Sequence, residues 1–208
     1  SMTLNIYVEF CEGGTLQSYL KSNKGPFGGR LDPIENGLIV WQILAGLEHL
    51  HANGITHRDV KPENVLRSAR GCMKLADYGW TNNNSQGNHG GAAAAGACTL
   101  GTPRYMSPEA VSGCADTCVD IWALGVLTME LFSALPAPLQ KTSIMSITNY
   151  FQDLKAKNPT GPAFAIDARR MTTDATNFVN LCLQRDPKKR PSAQSLLYHP
   201  FVVHSKRS

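Results

Sequence analysis

The stretch 54–80, GITHRDVKPENVLRSARGCMKLADYGW, decides the reading of this chain. It places three acids (Asp59, Glu63 and Asp77), Asn64 and Lys61 around one predicted turn. Asp59, Lys61 and Asn64 fall within six residues of one another, on a loop entered after a glycine. A carboxylate there can orient a hydroxyl and take its proton. An ammonium can neutralise a migrating phosphoryl group, and an amide oxygen can ligate a hard cation. Asp77 returns after a predicted β-turn-β as a second oxygen donor, and Gly79 lets the backbone turn behind it. Each residue alone reads more simply as a turn former, a cap or a solvated charge. Their ordered coincidence is what points to phosphoryl transfer.

Outward from that stretch, helical patterns dominate. Pro33 to Asn53 repeats apolar residues at Ile39, Ile43, Leu47 and Leu50, with Pro33 suited to a first turn and Asn53-Gly54 to a stop. Residues 117–133 are apolar nearly all round, which predicts a central helix. Further helices are expected near 143–156, 173–184 and 192–198, and a short one over 15–22 with Thr15 as its cap. LNIYVEFCEGG (4–14) reads as a short strand ending in a glycine pair. VLRS and MKLA read as the two strands of a hairpin. Residues 81–98 are glycine-rich and polar, as expected of a mobile segment. The predicted fold is mainly α with a small β element.

The chain has 208 residues, enough for one sizeable core, and a formal net charge of +4. The charge is scattered, and its densest run, Lys188-Lys189-Arg190, has no interleaved aromatics. A nucleic-acid partner is therefore not expected. The six cysteines include no C-x-x-C pair, and Cys114 with Cys118 lacks the second ligand pair of a zinc site. With no signal sequence and no membrane-length apolar run, the expected setting is cytoplasmic, the nucleus not excluded, without membrane contact.

HRDVKPEN (57–64) resembles the catalytic loop of eukaryotic protein kinases, DYG (77–79) their metal-binding D-F-G, and SPE (107–109) their A-P-E. GTPRYMSPE (101–109), DIWALGVLTMEL (120–131) and CLQRDPKKRPSAQSLLYHPF (182–201) continue the resemblance in order. Lys61 and Gly101-Thr102-Pro103 are similar to the serine/threonine branch, and the closing segments to kinases of the MAP-kinase-kinase-kinase or NIMA-related type.

The resemblance implies the large, C-terminal lobe of the kinase fold. Residues 1–14 would be the hinge strand, 15–203 the lobe, 77–109 the activation segment and 204–208 a tail. It implies Asp59 as catalytic base, Lys61 at the transferred phosphoryl, Thr102 holding the two in register, and Asn64 and Asp77 as magnesium ligands. Leu66 would lie under the adenine of ATP. The Glu9 carbonyl and Cys11 amide would meet its edge beside the gate residue Val8. Thr15 would sit near the ribose, with Glu63 in a supporting contact. Glu109 and Arg190 would form a buried ion pair, and Asp120 would hold the backbone around His57 and Arg58. His57 and Tyr78 would stack in a regulatory column. Arg58 would pair with a phosphate on the activation segment, Thr99 being preferred over Ser85 and Thr81. The implied partners are a Ser/Thr-containing protein substrate and an upstream activating kinase.

Tyr78 stands where the family has phenylalanine, and Ser107 where it has alanine. The family's glycine-rich loop, V-A-I-K lysine and helix glutamate have no counterpart in these residues. The glycines between 87 and 101 have the wrong spacing, and LKAK (154–157) follows no glycine loop. A lysine worth about 1.5–3 kcal/mol and a roof of ~100 Å² worth about 2.5 kcal/mol would be lost. The expectation for the chain by itself is weak ATP binding, low turnover and an exposed apolar face near Val8, Phe10, Leu66 and Tyr78. The alternative expectation is a non-catalytic kinase-fold binding module.

Overall fold

The computed structural model describes residues 7–22, 31–78, 101–114, 116–140 and 143–207. It is built around α2 (Pro33–Ala52) and α4 (Cys118–Leu131). In α2, Asp32 caps the helix by accepting from the Ile34 amide, and Pro33 occupies the first turn, where its missing N–H is harmless. Gly54, at φ 70°, ends it, with its amide and that of Ile55 returned to the carbonyls of His51 and Leu50. In α4 every residue except Cys118 and Glu130 is buried, as an all-round apolar helix requires.

Shorter elements surround this pair. They are α1 (Leu16–Ser22), α3 (Pro108–Val111), α5 (Ala137–Gln140), α6 (Ile144–Lys157), α7 (Thr173–Cys182), α8 (Ala193–Leu196) and α9 (Pro200–Arg207). Among the described residues three 3₁₀ turns, Pro62–Asn64, Pro103–Tyr105 and Pro187–Lys189, each open on a proline. Among the described residues the sheet is one antiparallel hairpin of β1 (Val65–Arg67) and β2 (Met73–Leu75), in register Val65 with Leu75 and Arg67 with Met73.

α4 and α7 approach closely at Gly125, where a β-carbon would lie 2.7 Å from Cys182 Cβ and 3.1 Å from Leu183 Cδ2. Below them Trp122 packs edge-on to Phe151, and Tyr150 stacks on Phe164 at 5.4 Å.

The mainly α architecture with one small β element is as expected, with two corrections. Residues 7–11 form no strand, and Tyr7, Val8 and Phe10 are 93%, 82% and 84% exposed. A strand needs a neighbour to complete its hydrogen bonds. Here the backbone pairs with β1 only farther on, at Gly13 and Gly14 with Arg67. Residues 204–207, expected as tail, continue α9. Ser205 is buried there, and Lys206 lies over the Trp41 ring, 4.6 Å from its centroid.

Candidate active site

The loop after α2 is held from beneath by Asp120, wholly buried near the start of α4. One carboxylate oxygen accepts from the His57 amide and lies 2.8 Å from His51 Nε2; the other accepts from the Arg58 amide at 2.8 Å. Buried carboxylates survive when every lone pair is engaged. This clamp lets Arg58 keep a left-handed backbone, φ 69°, a conformation that costs a non-glycine residue on the order of 1 kcal/mol. The chain therefore reverses at Arg58 and presents Asp59 outward.

Around Asp59 the expected partners converge. Lys61 Nζ donates to Asp59 Oδ2 at 2.5 Å and to Thr102 Oγ1 at 2.8 Å. Thr102 donates to Asp59 Oδ1 twice, from its amide at 3.1 Å and its hydroxyl at 3.0 Å. Asn64 Nδ2 donates to the Asp59 carbonyl and to Oδ2, both at 2.9 Å. Burial pushes the Asp59 carboxyl up, but the bonds from Lys61 and Thr102 outweigh it and hold it below the usual carboxylate range. Asp59 is ionised at neutral pH.

Asn64 commits its Nδ2 to Asp59, so Oδ1 is the end that can face a cation. The Ala76 amide donates to the Asn64 carbonyl at 2.9 Å, which brings the exposed Asp77 alongside it. Asp77 is also left-handed, φ 63°. An amide oxygen and a carboxylate are oxygen donors without thiolate or imidazole, a set that fits a hard cation such as magnesium.

The other expected residues fall nearby. Thr15 Oγ1 caps α1 by accepting from the Ser18 amide, and its backbone bridges to Leu66. Glu63 accepts from Gln17 Nε2 at 2.6 Å. The Glu9 carboxylate pairs with Lys74 at 2.5 Å, and Cys11 is half-buried. His57 and Tyr78 do not stack. Their centroids are 6.4 Å apart at 63°, an edge contact, and His57 Nε2 lies 3.0 Å from the Ala76 carbonyl instead. Thr99, Ser85, Thr81 and Gly79 lie outside the described residues.

A second cluster forms where expected. Both terminal nitrogens of Arg190 donate to the Glu109 carboxylate, with Nη2 to Oε2 at 2.8 Å. Nη1 also reaches the Cys118 carbonyl, Nε the Gln184 carbonyl, and the guanidinium lies over Trp122. Three residues that the sequence reading passed over complete the frame. They are His51 on Asp120, Gln17 on Glu63, and Glu130, which accepts from the Tyr105 hydroxyl and pairs with Arg104 at 3.4 Å. Glu130 stood out only as a charged residue near the end of an otherwise apolar helix, and His51 not at all, because α2 also carries Glu48 and His49.

The sequence profile described as "Protein kinase domain" matches residues 1–202. The chain belongs to the protein kinase family. Its relatives include the cytokinesis protein sepH of Aspergillus terreus, 35% identical over 99% of this chain and 14% of that protein. Mitogen-activated protein kinase kinase kinase A of Dictyostelium discoideum is 35% identical over 97% of the chain and 20% of its own length. MAP3K epsilon protein kinase 2 of Arabidopsis thaliana is 32% identical over 99% and 14%. This kinase domain is thus of the serine/threonine, MAP-kinase-kinase-kinase-like type, and it corresponds to the helical large lobe. It spans about a seventh of the first of these relatives.

Proposed function

We propose that this chain carries the phosphoryl-transfer half of a serine/threonine kinase active site, acting with ATP and Mg²⁺ on a protein hydroxyl. The observation that carries it is the convergence of Lys61, Thr102 and Asn64 on one ionised carboxylate. Asp59 orients the substrate hydroxyl and accepts its proton, and Lys61 and Thr102 fix the carboxylate so that little reorganisation is needed. Asn64 and Asp77 would hold the metal, which would supply neutralisation of phosphate charge. Leu66, Thr15, Glu63, the Glu9 carbonyl and the Cys11 amide line the nucleotide side. Arg58 supports a regulatory role. Its Nε is buried and has no hydrogen-bond partner among the described residues, as suits a guanidinium waiting for a phosphate, with Thr99 the proposed acceptor and an upstream kinase the donor.

The test is transfer of labelled phosphate to a protein substrate, measured in a protein that holds these residues within a complete catalytic domain. Asp59→Asn should lower the rate by about 10²–10⁴-fold with the circular-dichroism melt nearly unchanged. Retained activity would refute the base.

A second reading is a non-catalytic binding module. The nearly full exposure of Tyr7, Val8 and Phe10 favours it, because exposed apolar groups this close together invite a protein partner. For the 208-residue chain itself, magnesium–ATP should raise the melting temperature by under about 1 °C at sub-millimolar nucleotide. A shift of several degrees would show that these residues suffice to hold nucleotide, and would count against the module.

A further inference from the structure

We propose that a groove on the opposite side of α3 from Asp59 docks a short acidic segment, carrying an apolar anchor residue, of the protein substrate. The inference rests on the kinase reading for what docks, not for whether anything docks.

The groove, of about 570 Å³, runs between α3 and α6 and is closed by residues 185–186. Val111 and Pro159 give most of its apolar wall, and the buried Phe151 adds little. A recess of about 330 Å³ continues it, sharing Pro159, Arg185 and Asp186 and adding Lys189. The two recesses form one track long enough for a few extended residues at about 3.3 Å each.

The free charge along this track is positive. Glu109 faces it, but its carboxylate is held by Arg190. The Asp186 carboxylate accepts from the Lys188 amide and keeps its charge, so it offsets one of the cations. Arg185 donates to the Asn158 carbonyl, which satisfies one N–H and leaves its charge uncompensated. Among the described residues no carboxylate pairs with Lys155, Arg185 or Lys189. Three cations around an apolar wall complement acidic side chains flanking an apolar one. A second copy of this chain is a poor occupant, because its net charge is +4. Nucleic acid is poorer still, because the aromatic ring in the groove, Phe151, is itself buried at 8% exposure and offers no stacking face.

α3 gives the groove its consequence. Ala110 lines the cavity that also holds Asp59 and Thr102, while Glu109 and Val111 line the groove. A segment bound on one side of this single helical turn holds an attached hydroxyl near the base on the other. That raises its effective concentration without any new contact at the reacting atoms.

The test is fluorescence anisotropy on the full chain without nucleotide. The probe is a labelled peptide of alternating glutamates around one phenylalanine, compared with versions carrying glutamine for glutamate or serine for phenylalanine. The acidic peptide should bind, and about a sixfold rise in salt should weaken it. Lys155→Glu with Lys189→Glu should weaken it at least tenfold, while Lys21→Glu on α1 should not. These positions are on the surface, and a thermal melt checks that each variant folds. Equal binding of the glutamine peptide, or of the double variant, would overturn the groove. So would a double variant that changes only the oligomeric state in sedimentation, or one that loses only nucleic-acid binding. Peptide binding by the chain, with no phosphate transfer by a complete catalytic domain holding these residues, would keep the groove and reject the kinase reading. Phosphate transfer with a KM for acidic substrate unaltered by the double variant would do the reverse.

Discussion

Two clusters in this molecule are made from the same chemistry, one carboxylate and one cation, and they serve opposite ends. At Arg190 and Glu109 the guanidinium side chain is 0% exposed and the carboxylate 14%, and every Arg190 nitrogen is engaged. At Lys61 and Asp59 the side chains are 19% and 24% exposed, and the backbone beside them is held left-handed. In the first pair the guanidinium is closed to solvent and Glu109 lies at the edge of a groove, and the pair ties α3 to the turn after α7. The second is open on one side and keeps a charged oxygen available. Openness, more than the identity of the ions, separates a pair that holds the fold from one that can react.

That contrast can be broken by experiment. Arg190→Ala should lose about 3–5 kcal/mol in urea denaturation, because Glu109 is left largely buried without its partner. A double replacement of Arg190 and Glu109 by apolar residues of similar volume should recover much of it. Asp59→Asn, by contrast, should cost no more than about 1 kcal/mol. Equal losses at the two sites would erase the distinction.

A smaller effect sharpens the open site. The Asp59 carboxyl is depressed on folding, so its contribution to stability is complete above the unfolded pKa of about 3.9. It fades as pH falls through the lower folded value. Thr102→Ala removes the hydroxyl that serves both Asp59 and Lys61 and should cost about 1 kcal/mol at neutral pH. The gap between wild type and this variant, followed by thermal melts, should narrow below about pH 4. A constant gap would place the Thr102 contribution elsewhere than on the ionised carboxylate.

The mildest prediction concerns thiols. Burial and the neighbouring Glu109 push Cys118 up to about 11, and complete burial pushes Cys182 higher still. Iodoacetamide at pH 8 should therefore label the exposed Cys72 and Cys114 first, Cys118 later, and Cys182 only on unfolding. Peptide mapping reads the order. Early labelling of Cys118 would show that the closed cluster opens.

Much of this was legible because it is local. Asp59, Lys61 and Asn64 share one loop, so their meeting follows from the loop alone. α2 is long enough to display a period, α4 is legible as an unbroken apolar run, and Asn53-Gly54 is an unambiguous stop. α3 and α5, with four residues each, are too short to show any period. The extended segment at 7–11 has a strand's composition but no neighbour to pair with among the described residues. α9 was hidden because its end is charged, and only contact with α2 reveals that Lys206 and Ser205 are placed. His51, Gln17 and Glu130 meet partners 69, 46 and 25 residues away. Nothing in their residue type announces such a partner.

Gly125 has a consequence in genetics. Every amino acid reachable from a glycine codon by one base change carries a β-carbon, and at this position a β-carbon meets Cys182 closer than any real contact allows. The smallest such step, to alanine, should already cost about 1–3 kcal/mol by prying α4 from α7. A library of single-nucleotide variants should therefore be depleted of missense changes at codon 125, while silent ones persist. The helix that carries Asp120, and through it the backbone under Asp59, has no neutral neighbour in sequence at the residue that seats it.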